Sequence, residues 1–259
     1  MVGPPLTAWN RVGARPLSPS WRLRRLPVCA STELELDRWL LRSRGALHGA
    51  APGLVVRAGR QRFGHGQRGR YWHSPRGGLW LSAAFPWPAR DAGVLGLTVA
   101  VALALQLETF GLTPEIKWPN DLLVAGRKLA GVLPRLRLRG AEVRWAQVGI
   151  GLNGVNRVPP GAISLAQVLA TRPGLRRARA WHPQALPRRL EGRVLAALDW
   201  TRLHASSSAL VWELAQARLW RPPSGFSYAG QNWQVDGLDQ DGTLRLRQGS
   251  LITRVRRQF

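Results

Sequence analysis

Along the chain the spacing of apolar and polar positions changes several times, and each change predicts an element. From Thr32, "TELELDRWLL" brings apolar residues round at helical spacing, and Thr32 with Glu35 matches a T-x-x-E capping box. Apolar runs at 53–59 ("GLVVRAG") and 79–85 ("LWLSAAF") predict strands, the second ended by "PWP". The longest apolar run, 92–107, predicts a buried core helix over roughly 90–110 that stops at Gly111. It is shorter than the ~18–20 residues a membrane span requires, and Glu108 follows at once. Next, "EIKWPND" (115–121) reads as a strand entering a turn. "LLVAGRKLAGVLPRLRLR" (122–139) reads as a hairpin turning near Ala125–Gly126, and "EVRWAQVGIGLNG" (142–154) as a strand with a glycine-rich end. Helices are expected at about 163–170, 183–203 and 206–219, with a basic loop, "TRPGLRRARAWHP", between the first two.

From residue 221 the segments shorten and alternate, punctuated by Asp236–Gly237, Asp241–Gly242 and "QGS", which predicts an all-β module of four or five strands. The expected organisation is a loose N-terminal arm (1–26), a main domain (27–220) and a small β domain (221–259). The expected fold class is α+β (α/β), a mixed sheet flanked by helices, with a small C-terminal β-barrel.

Composition narrows the function. The apolar share of 45% marks a globular chain. The single cysteine, Cys29, excludes an intrachain disulfide framework and a cysteine-based zinc site, and fits a reducing, cytoplasmic setting. The five histidines show no metal-ligand spacing. A formal charge of +24 points to a polyanion, but the basic residues are spread over the whole chain with no single tract, as a bias toward arginine produces. Against 38 Lys plus Arg, the two lysines, Lys117 and Lys128, both fall within 115–133. An ammonium is a compact point charge and a guanidinium a broad planar fork, so retained lysines mark positions where arginine does not fit.

Three features suit a phosphate-bearing ligand. The loop from Gly59 to Gly78 combines glycines with Arg60, Arg62, Arg68, Arg70 and Arg76, which grip phosphate or carboxylate. "KWPND" sets Lys117, Asn120 and Asp121 at the mouth of an apolar strand, with Pro119 stiffening the turn. "RKLAGVL" places Lys128 among apolar residues, where a buried ammonium needs an anion to face.

"KWPND" followed by "RKLAGVL" closely resembles the signature of biotin–protein ligases, also called biotin–[acetyl-CoA-carboxylase] ligases. "AST" (30–32), "QRFGHGQRGRYWHSPRGGLWLS" (61–82), "GIGLNGVN" (149–156) and "VDGLDQDGTLRLR" (235–247) are similar to further family segments, so the resemblance spans about residues 26–247. It implies a class II synthetase-like biotin ligase fold with an SH3-like C-terminal barrel. It implies two steps: biotin and ATP give biotinyl-5′-AMP, and a lysine of the biotin carboxyl carrier protein then takes the biotin. Magnesium would accompany ATP, and no enzyme nucleophile is needed.

Carried over by motif, Ser31, Thr32 and Gln61 would hold the ureido group, with Glu33, Gly64, His65, Gly66, Gln67 and Gly131 completing the biotin site. Arg68 and Arg70 would face phosphates, Trp72 would pack near the adenine, and Asn120, Asp121 and Asn153 would organise the nucleotide, Asp121 with the magnesium. Lys128 would touch both the biotin carboxylate and the α-phosphate, with Lys117 supporting the turn. Three positions bear on the pattern: His65 stands where the family usually has Arg, Gln67 where several members have Arg and others Gln, and Glu33 where Asn or Asp is often found. The first implies slower activity or leakier retention of the adenylate. With Ser31–Thr32 this early, the expectation is a monofunctional ligase without an N-terminal DNA-binding domain, not a sequence-specific DNA binder, and a possible homodimer. Alternatives are a lipoate-type ligase, a nucleic-acid-binding protein and an impaired biotin binder.

Overall fold

A computed structural model of the chain describes residues 21–43, 52–88, 92–140, 142–171 and 186–256. The described elements are, in chain order, β1 (Trp21–Leu26), α1 (Thr32–Arg42), β2 (Gly53–Ala58), β3 (Leu79–Phe85), α2 (Ala92–Glu108), β4 (Glu115–Lys117), β5 (Asp121–Val124), β6 (Arg127–Arg139), β7 (Glu142–Leu152), α3 (Leu165–Ala170), α4 (Leu186–Leu203), α5 (Ser208–Ala217), β8 (Phe226–Tyr228), β9 (Gln231–Leu238), β10 (Leu244–Gln248) and β11 (Leu251–Val255). Residues 1–20 of the expected arm and 172–183 of the expected basic loop lie outside the described residues.

Seven strands form one sheet in the order β1-β2-β3-β7-β6-β5-β4. β1 and β2 run parallel and the remaining neighbours antiparallel, so the sheet is mixed. Residues 21–26, assigned from the sequence to a loose arm, are therefore an edge strand. Trp21 and Leu23 pack on the core, while Arg22 and Arg24 lie over the Trp39 ring at 5.9 and 5.0 Å. Arginines between the apolar residues mask a strand whose partner is distant in sequence.

Strict alternation divides the sheet into two faces. Leu79, Leu81, Ala83 and Phe85 of β3, with Val148, Ile150 and Leu152 of β7, enter the main core. α2 covers that face, and α4 and α5 pack on α2. Because α2 is apolar all round, it is enclosed: Val99 to Ala104 are all buried. On the other face Leu54, Val56 and Ala84 meet Leu36 and Leu40 of α1. The rest of this face, Ser82 on β3 and Gly149 and Gly151 on β7, is left to a cavity.

The β5–β6 hairpin turns at Ala125 (φ 51°) and Gly126 (φ 70°), the two left-handed residues a tight hairpin demands. Its register then slips: Leu122 pairs with Ala130, yet Leu123 pairs with Lys128. Leu129 is the extra residue of a bulge and sinks into the core beside Ala130. An unbroken strand would set Lys128 and Gly131 on opposite faces; here both line the cavity.

Two turn assignments change. The N-cap of α1 is Ser31, whose side chain accepts from the Glu33 N–H at 3.2 Å, not Thr32, whose hydroxyl is bonded elsewhere. Asp236–Gly237 is not a turn but a bulge inside β9, opposite Arg245–Leu246. The Asp241–Gly242 turn forms, with Gly242 at φ 81°.

Strands β11-β10-β9-β8 make a four-stranded antiparallel sheet. It is open among the described residues, not the expected closed barrel: three-residue β8 pairs with β9 alone. Leu238, Leu244 and Leu246 share the main core. Trp212 Nε1 donates to the Leu238 carbonyl at 2.9 Å, and Trp118 Nε1 of the KWPND turn to the Gly242 carbonyl at 2.8 Å.

Candidate active site

A cavity of about 550 Å³ lies between the open face of the large sheet, the start of α1 and the loop 59–78. It joins residues from segments far apart in sequence. Ser31, Thr32, Glu33, Gln61, His65, Gly66, Gln67, Arg70, Trp72, Asn120, Asp121, Lys128, Gly131 and Asn153, all proposed from motifs, line it. Gly64 and Arg68 do not. Gly64 is packed against Trp72 and Ser74, and Arg68 sits exposed in a short 3-10 turn at φ 57°.

The loop is held as a hairpin. Gln61 N–H donates to the Ser74 carbonyl at 3.0 Å, Trp72 N–H to Gly64 at 2.8 Å and Gly66 N–H to Arg70 at 2.7 Å. Cys29 N–H donates to Arg60, and Arg62 N–H to Cys29, which ties the loop to the start of α1. Burial, then the Glu35 charge, pushes the Cys29 thiol up to about 11, so at neutral pH it is a thiol with no nucleophilic character.

Two groups of side chains stand out on the cavity wall. Lys128 Nζ lies 2.7 Å from Asp121 Oδ2 and 4.7 Å from the centre of the Trp72 ring. The indole rests on paired Gly131 and Gly151: a Cβ at Gly151 would come within 2.5 Å of it, and one at Gly131 within 2.9 Å. Only glycine leaves room for the ring there. Trp72 Nε1 and Gln67 Nε2 are buried donors without a hydrogen-bond partner among the described residues.

The second group is a polar chain on the β3 side. Gln61 Oε1 accepts from the Thr32 N–H at 2.7 Å and from Thr32 Oγ1 at 2.9 Å. Thr32 Oγ1 is 2.8 Å from Ser82 Oγ, and Gln61 Nε2 donates to Ser74 Oγ at 2.9 Å. The motifs did not single out Ser82. The signal was its place as the one hydroxyl in the apolar strand "LWLSAAF".

Other residues expected to contact a ligand also make contacts within the protein. Asn120 donates its amide N–H to the Val132 carbonyl. Asn153 Nδ2 donates to the Ile163 carbonyl at 3.2 Å, and its Oδ1 accepts from Asn156. Lys117 lies over the Trp220 ring at 5.1 Å, at the cavity mouth. Burial pushes the Glu33 carboxyl up, opposed by the guanidinium of Arg135 at 3.1 Å. No ion pair engages Arg68 or Arg70 among the described residues, and both are exposed.

The cavity and its motif-bearing strands lie on an α/β domain, and residues 39–153 match the model of the Biotin/lipoate A/B protein ligase family. The chain is also similar to individual proteins. It is 37% identical over 118 residues to the bifunctional ligase/repressor BirA of Bacillus subtilis, covering 44% of this chain and 36% of that protein. With the bifunctional ligase/repressor BirA of Escherichia coli it shares 29% identity over 234 residues, 88% of this chain and 70% of that one. The fold matches the biotin protein ligase from Aquifex aeolicus in complex with biotin and ATP, at a TM-score of 0.69 and 20% identity, over 90% of this chain and 94% of that chain. The chain spans about a third of the length of the Bacillus relatives.

Proposed function

We propose that this chain is an ATP-dependent biotin–protein ligase acting on a biotin carboxyl carrier protein. The observation that carries the reading is the Lys128–Asp121 pair, 2.7 Å apart on the wall of a cavity that also holds the Thr32–Gln61–Ser82 polar chain. One group suits a reacting carboxylate and phosphate, the other a polar head group.

In the first step a biotin carboxylate oxygen bonds to the α-phosphorus of ATP, and the bond to pyrophosphate breaks. In the second, the neutral amine of a carrier lysine attacks the acyl carbon of biotinyl-5′-AMP, and AMP leaves with the bonding electron pair. Both steps gather negative charge on phosphate oxygens. The Lys128 ammonium stabilises that charge, and Asp121 holds the ammonium in position until substrate arrives. Arg70 at the cavity wall and Arg68 on the same loop supply cations for the leaving pyrophosphate. Trp72 excludes water from the acyl adenylate.

Asp121 and Glu33 are the carboxylates on the wall, and no cluster of three His, Cys, Asp or Glu side chains suited to a metal occurs among the described residues. That set fits a magnesium ion that Asp121 would hold and that would neutralise phosphate charge of the substrate. The C-terminal sheet, joined to the KWPND turn through Trp118, is read as the family's SH3-like module.

The test is biotin-dependent ATP–pyrophosphate exchange, followed by transfer to a purified apo carrier domain, with Lys128→Arg as control. Exchange and transfer in the wild type, lost in the variant, support the reading. Biotin binding without exchange defeats it.

A further inference from the structure

The polar chain beside β3 has a direction, and the direction decides what it offers a ligand. The Thr32 backbone N–H can only donate, so the Gln61 atom 2.7 Å from it is the carbonyl oxygen Oε1. Oε1 can only accept, so Thr32 Oγ1, 2.9 Å away, gives it its one hydrogen. The 2.8 Å contact between the Thr32 and Ser82 hydroxyls is then donated by Ser82. At the other end Gln61 Nε2 donates to Ser74 Oγ, whose own hydrogen goes to the Trp72 carbonyl at 2.9 Å. All three hydroxyl hydrogens are committed within the protein. Ser82 Oγ keeps only lone pairs, and Gln61 Nε2 keeps one N–H.

Ser82 is 2% exposed, lines the cavity and pairs in the sheet with Gly149, which puts no side chain beside it. A hydroxyl with a free hydrogen turns to donate or accept as the ligand requires. This one cannot, because rotating its hydrogen toward a ligand leaves the Thr32 bond unmade. We propose that Ser82 is a specificity-determining residue: its Oγ accepts an N–H of the ligand's head group, so the site selects against heads that lack an N–H at that point. The proposal rests on the biotin-ligase reading above and names the group that enforces its substrate class. Sites that hydrogen-bond a substrate N–H discriminate against analogues lacking it far more sharply than apolar pockets do.

The experiment is calorimetric titration without ATP, comparing biotin with biotins methylated on one or the other ureido nitrogen, in the wild type and in Ser82→Ala. The variant is expected to bind biotin roughly 3- to 10-fold more weakly, as for loss of one neutral hydrogen bond. One N-methyl biotin, rejected by the wild type, is expected to lose most of its penalty relative to biotin in the variant. A residue that merely props up Thr32 weakens all ligands alike and leaves that ranking intact. Unchanged ranking in Ser82→Ala therefore overturns the proposal. If Ser82→Ala fails to fold, Ser82→Cys carries the same comparison: loss of the discrimination supports the proposal and retention overturns it. A wild type that binds no biotin overturns the ligase reading itself, an outcome distinct from biotin binding with unchanged ranking.

Discussion

The loop 59–78 and the outer face of the C-terminal sheet draw on the same arginine-rich composition and use it in opposite ways. On the sheet, Asp236, Asp239 and Asp241 are threaded between Arg245, Arg247, Arg254 and Arg256 at 2.8 to 3.1 Å. Charge there is matched across neighbouring strands. In the loop, Arg60, Arg62, Arg68, Arg70 and Arg76 are all exposed, and no described ion pair engages them. Residues 38–90 contain no Asp or Glu at all. Arginine becomes structural where acids are interleaved with it and remains available to a ligand where they are withheld. Net charge cannot distinguish the two.

The largest expected effect tests the loop side of that contrast at the neighbouring Lys128. Lys128→Arg is expected to lower ATP–pyrophosphate exchange by about 10²-fold or more, as for loss of a transition-state donor. Its thermal midpoint should move little, because the Lys128 side chain is partly exposed on the cavity wall and lies outside the buried core. A large fall in midpoint would make Lys128 structural and erase the contrast.

Gly151→Ala comes next. The new Cβ displaces the Trp72 ring, and the expected cost is about 1–3 kcal/mol in urea unfolding. Adding Trp72→Ala should recover most of it. Additive losses would show that the ring does not rest on that strand.

A matched pair of arginine variants sharpens the comparison directly. Arg70→Ala is expected to raise the KM for ATP by roughly 10-fold, as for a charge-assisted hydrogen bond, without altering stability. Arg245→Ala should leave that KM alone and cost about 0.5–1 kcal/mol, diminishing with added salt. Exchanged outcomes would invert the assignment.

The smallest effect is pH-dependent. The Asp241 carboxyl is held down at about 2, first by the Arg256 hydrogen bond and then by the Thr243 N–H. A carboxyl depressed on folding adds stability above its ordinary value of 3.8, and the contribution fades as pH falls through about 2. Melting curves of Asp241→Asn should therefore lie below wild type at pH 5 and converge with it near pH 2. The Glu33 carboxyl, raised chiefly by burial, acts with the opposite sign: its unfavourable ionisation is relieved as pH falls through its raised value.

Much of this was legible in the chain. The strand 79–85, the turn at Ala125–Gly126 and the buried helix all show in local periodicity, because each depends on residues a few positions apart. The KWPND and RKLAGVL motifs pointed to residues that line the cavity, because contiguous residues are carried to it together. Legibility failed where a residue's role is set by a distant partner. β1 was hidden because its partner β2 lies across α1, and the role of Ser31 as N-cap because Thr32 is drawn to Gln61 and Ser82.

The sequence by itself determined the alternation that separates core from cavity, the lysines at 117 and 128, and the glycines on which a ring can rest. Those are properties of single residues and of their spacing. Only the tertiary structure decided that Leu129 is a bulge that turns Lys128 into the cavity, that Asp121 meets it, and that the hydrogens of Thr32, Ser74 and Ser82 all run one way. Register and hydrogen-bond direction are set by what lies opposite, and what lies opposite exists only once distant segments are packed together.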